Sequence, residues 1–153
     1  MVMQVYLNHY LFLVFGIKKA GEKMDTRFRM LCLKLRNMTS PQAADWLIDT
    51  YPISDSGYGE AIHLIPHRSW KRTDQIRLAR YYFQKIPFAN AKGYEVFASF
   101  MSFKIFVGII RENYPSEESR KELLLYYLIP VLESAAKTDS DRELIKLLII
   151  ELK

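Results

Sequence analysis

Apolar residues return every three or four positions along most of this chain, and proline cuts the pattern at intervals. From Thr26 to Asn37, the residues Phe28, Leu31, Leu35 and Met38 keep helical spacing. Arg27, Arg29, Lys34 and Arg36 fall mostly on other faces. A second helix is well marked at its start: Thr39 or Ser40 can cap, Pro41 sits in the first turn, and Gln42 stands in a capping-box position. Tyr51-Pro52 closes it, because proline has no amide hydrogen and crowds the residue before it. Residues 53–59 read as a loop. A short helix from Glu60 to Leu64 runs into Ile65-Pro66, and His67 to Arg72 is a basic connector.

Thr73 is the expected cap of the next helix, whose inner stripe is Ile76, Ala79, Phe83 and Ile86. The stretch from Ala89 to Asn113 is apolar nearly all round. That marks a central element covered on several sides, with Gly93 the expected break. Ser116, Glu117 and Glu118 open a further helix with a broad stripe from Leu123 to Ala135, and Pro130 predicts a kink or break within it. Ser140 and Glu143 read as a second capping box before a last helix bearing Leu144, Ile145, Leu148, Ile149 and Leu152. No segment alternates as a half-buried strand over more than Val2 to Val5.

The fold class that follows is all-α, with about six short helices packed as antiparallel hairpins. Tyr51-Pro52 through Ile65-Pro66 is echoed by Tyr114-Pro115 through Ile129-Pro130, 63 to 64 residues later. A unit of that length holds two hairpins, so the pattern resembles a small HEAT-like helical stack in architecture; chance similarity stays open beside it.

At 153 residues, half of them hydrophobic, the chain is long enough for one packed domain. Residues 24–153 are assigned to that domain. Residues 1–23 are an uncertain N-terminal segment, containing the apolar run Tyr10 to Ile17 followed by Lys18-Lys19. That run is under half the roughly 20 residues of a membrane span. It carries its positive charge on the wrong side for a signal peptide. A core element, a membrane-surface anchor and an extension upstream of a start at Met24 remain open. The lone Cys32 forms no internal disulfide and fits a reducing, cytoplasmic setting.

The net charge of +5 is banded: residues 39–66 hold four acids and no Lys or Arg, whereas residues 67–92 hold seven basic residues against Asp74. The basic band supplies the candidate binding residues, Arg68, Trp70, Lys71, Arg72, Arg77 and Arg80. Cations there can neutralise phosphates or steer an acidic partner, and an indole can stack on a base. The plain alternative is a solvated connector with Trp70 in the core. Glu60, His63 and His67 have metal-like spacing, but Pro66 spoils a shared helical face, so no metal site is assigned. Asp45 and Asp49 read as solvated acids. Gly57-Tyr58-Gly59 lacks the spacing and the strand of a phosphate-binding loop, and no nucleophile motif occurs. No catalytic residue or cofactor is assigned. Adjacent aromatics at Tyr81-Tyr82-Phe83 and Tyr126-Tyr127 cannot all face one core, and aromatics outside a core mark interfaces. The expected function is a non-enzymatic protein-binding module, an adaptor, a regulator or a neutralising partner. The alternative is nucleic-acid binding through the 67–85 band.

Overall fold

A computed structural model describes residues 25–153, and the expectations for Val2–Val5, Tyr10–Ile17 and the start at Met24 lie outside that range. Among the described residues there are eight α-helices and three 3₁₀ turns, and no strand. The helices are α1 (Thr26–Arg36), α2 (Ser40–Thr50), α3 (Gly59–Leu64), α4 (Arg72–Tyr82), α5 (Lys92–Phe100), α6 (Phe103–Glu112), α7 (Glu118–Ala135) and α8 (Asp139–Leu152). The all-helical class is as expected; eight helices stand among the described residues against the about six expected, and the long apolar stretch, being two helices, accounts for one of the difference.

That stretch does not break at Gly93, which lies inside α5. A Cβ at Gly93 would sit 2.5 Å from Cε2 of Phe88, so glycine is there to let a ring approach the backbone. The break falls at Met101-Ser102, where Met101 turns extended and the Ser102 hydroxyl caps α6 by accepting from Ile105 N at 3.5 Å. Pro130 leaves α7 unbroken as one element, whereas Pro66 enters a 3₁₀ turn. The two halves of the sequence echo therefore differ locally. Two caps also move. α4 begins at Arg72 after Lys71, because the Ser40 hydroxyl of α2 takes the Lys71 amide at 3.0 Å. The capping box of α8 is Thr138 with Asp141, not Ser140 with Glu143. The box at Thr39 and Gln42 forms as the sequence predicts.

Alternate helices pack side by side. α2 lies against α4, α4 against α6, and α6 against α8; α3 lies against α5, and α5 against α7. α1 joins the odd-numbered layer through Arg27, whose Nη1 is 2.5 Å from Glu60 on α3. Successive helices of one layer start about 26 to 36 residues apart. The layers share a core in which Phe83, just past α4, packs edge-on against Phe97 of α5 at 5.0 Å and Phe106 of α6 at 5.8 Å. Tyr82 is fully buried, and its hydroxyl donates toward the Leu47 and Tyr51 carbonyls at 3.2 and 3.1 Å, at the end of α2. No helix among the described residues is long and apolar enough to cross a membrane.

Candidate functional site

Within the basic band, Trp70 packs inward while Arg77 and Arg80 meet acids on neighbouring helices. Trp70 is buried, only 8% exposed, and its Nε1 donates to the Ile65 carbonyl at 2.8 Å. Arg68 lies over the indole at 4.7 Å. Its Nη1 donates to the Leu35 and Met38 carbonyls at 2.7 and 2.8 Å, satisfying the end of α1, and its Nε donates to the Ser69 carbonyl at 3.0 Å. Nη2 makes no hydrogen bond among the described residues. Burial pushes the Arg68 guanidinium pKa down, and the nearby Asp74 carboxylate opposes that. Asp74 is itself buried and accepts the Ser40 hydroxyl at 2.6 Å.

Arg77 pairs with Asp45 across α4 and α2. Arg80 holds Glu112 of α6 with a two-pronged contact at 3.1 and 3.0 Å. Each of these arginines is thus matched by an acid about 32 residues away. Lys71 and Arg72 are exposed. Of the six expected residues, the fold brings Arg68 and Trp70 together, leaves Lys71 and Arg72 beside them in sequence, and commits Arg77 and Arg80 to acids.

The larger concavity lies elsewhere, between α5 and α7, with a volume of about 710 Å³. Its α5 wall is low, built from Ala91, Ala98 and Ser99, while α7 raises Tyr126 and Pro130 beside it. These α5 positions point away from Val96 and Phe97, which are fully buried. Tyr126 is 73% exposed and stands edge-on to Tyr127 at 4.9 Å. Pro130 has no N–H to give the carbonyl of Tyr126 four residues earlier. Glu95 and Lys137 add opposite charges to the lining.

A second recess of about 260 Å³ is lined by Pro66, Arg68, Ser69, Trp70, Ser99 and Phe100. Ser99 lines both concavities, which makes them adjoining parts of one surface on the odd-numbered layer. The tyrosine pair and Pro130 were visible in the sequence. The alanine and serine positions carry no signal of their own, yet 91, 95, 98 and 99 share one helical face and bear no large apolar side chain.

Among the described residues, no group of three or more His, Cys, Asp or Glu side chains is placed to hold a metal. Glu60 is engaged by Arg27, and His67 is buried with its ring edge-on to Phe28 at 5.2 Å. Cys32 is buried, and burial pushes its thiol pKa up, away from the reactive thiolate. Comparison with protein-family models, with curated proteins and with solved structures finds no match.

Proposed function

We propose that this chain is a non-enzymatic protein-binding module, a short HEAT-like stack of helical hairpins that seats a partner in the groove between α5 and α7. The observation that carries this reading is the step between the two helices. A largely exposed tyrosine stands beside a wall of alanine and serine, and the two form a concavity of about 710 Å³. Small residues let a partner's side chain or backbone come close, and an exposed tyrosine offers large contact area at low entropic cost. The reducing, cytoplasmic setting fits the lone thiol.

Nucleic-acid binding loses support from the pairing of Arg77 and Arg80. Cations already matched by carboxylates release few counterions from a phosphate backbone. Affinity capture from native lysate at moderate salt, after nuclease treatment, tests the module reading. The wild-type chain is expected to retain a stoichiometric protein, and Ala98→Trp, which fills the groove from an outward position, is expected to lose it with its thermal midpoint unchanged. No retained protein, or equal retention by the variant, overturns the reading.

A further inference from the structure

The groove and the Arg68 recess adjoin at Ser99, and their chemistry differs along that line. The α5–α7 half is largely apolar, lined by Tyr126, Tyr127, Pro130 and Val131. The recess half is cationic. Arg68 is partly buried there, Nη2 has no hydrogen bond among the described residues, and the nearby Asp74 carboxylate, which also accepts the Ser40 hydroxyl, offsets only part of the cost of burying the guanidinium. Lys71 and Arg72 follow Trp70 directly and are exposed. Nη2 can donate to one carboxylate oxygen, the other guanidinium nitrogens being already engaged. On the other side of the join Glu95 and Lys137 line the apolar half with opposite charges.

We propose, resting on the docking reading above, that the occupant is an acidic segment of a partner protein. A leucine or aromatic side chain enters between α5 and α7, and an Asp or Glu reaches Arg68 Nη2. Lys71 and Arg72 speed the encounter and strengthen it at low salt.

A random dodecapeptide library displayed on phage, selected on the immobilised full chain, tests this. Enriched peptides are expected to combine Asp or Glu with Leu, Phe, Tyr or Trp. Their affinity is expected to fall about tenfold with the pair Lys71→Glu and Arg72→Glu. Ala98→Trp is expected to abolish binding. The charge arm uses Lys71 and Arg72 because Arg68 also holds α1 in place. Enriched peptides without acid, or unmoved by the charge reversal, but lost on Ala98→Trp overturn the acidic occupant and leave the docking groove standing. Peptides that survive Ala98→Trp, or no enrichment at all, overturn both.

Discussion

The two helical layers face the outside differently. Along the even-numbered layer, each helix is tied to the next by an exposed ion pair: Asp45–Arg77 from α2 to α4, Arg80–Glu112 from α4 to α6, and Arg111–Glu151 from α6 to α8. The odd-numbered layer begins in the same manner with Arg27–Glu60 but opens into a groove between α5 and α7. One layer pairs charges from helix to helix; the other leaves apolar surface and a tyrosine exposed along a groove. A basic sequence band is therefore a poor guide to a binding face when the fold supplies its counter-charges, and a stretch of small residues is easily overlooked when it lies beside a raised neighbour.

The largest expected effect comes from removing what the layers share. Phe83 is fully buried and meets Phe88, Tyr94, Phe97 and Phe106. Phe83→Ala should cost about 3–5 kcal/mol in urea denaturation, because the cavity lies where both layers meet and neither closes it alone. A loss below about 1 kcal/mol would mean the layers hold independently. Arg68→Met comes next. It leaves the Leu35 and Met38 carbonyls short of a charged donor, and a loss of about 2–3 kcal/mol is expected from the same measurement. Should Arg68→Met unfold like wild type, Arg68 would be a binding residue alone and not also the clasp on α1.

Much of this fold was legible from local chemistry. The cap at Thr39 with Gln42 lies within one turn, and the stripe of Phe28, Leu31 and Leu35 is periodic, so both could be read without knowing any tertiary neighbour. What could not be read came from distant partners. Thr73 looks like a cap until Ser40, 31 residues before Lys71, supplies the hydroxyl instead. Arg77 and Arg80 share a face in sequence terms, yet their acids come from two different helices. Trp70 belongs to a basic run and is nonetheless buried, since Ile65 provides an acceptor for its indole nitrogen. The candidate groove was half legible. Tyr126 and Pro130 stood out, but Ala91, Ala98 and Ser99 gain meaning only from lying next to α7.

Acid sharpens the comparison on the odd-numbered side. His67, in the turn after α3, has its pKa pushed down to about 4 by burial, with Arg36 adding repulsion. The unfolded chain takes up the proton near pH 6.5, and the folded chain resists until about pH 4. Stability is thus full above the unfolded value and falls as pH drops through this window. At about pH 5 the loss attributable to His67 should be about 2 kcal/mol relative to neutral pH. Urea midpoints of wild type and His67→Gln at the two pH values measure it. The difference between them should shrink in acid, and parallel curves would remove His67 as the cause.

The smallest effect is expected where the surface looks most ordered. Arg111 Nε meets Glu151 Oε2 at 3.0 Å, and the Tyr114 hydroxyl approaches the same oxygen at 3.4 Å. Burial pushes the Tyr114 phenol up to about 12, so it stays a neutral donor through the physiological range. Both charged partners remain partly in water, where solvent and salt weaken the attraction and ordering two long side chains opposes it. A double-mutant cycle with Arg111→Met and Glu151→Gln should give a coupling below about 1 kcal/mol, falling further in high salt. A coupling that is large and salt-resistant would mean that the ion pairs, and not the shared aromatic core, hold α6 to α8. The even-numbered layer would then be a load-carrying framework in its own right, and the contrast between a sealed face and an open one would need to be redrawn from charge and not from packing.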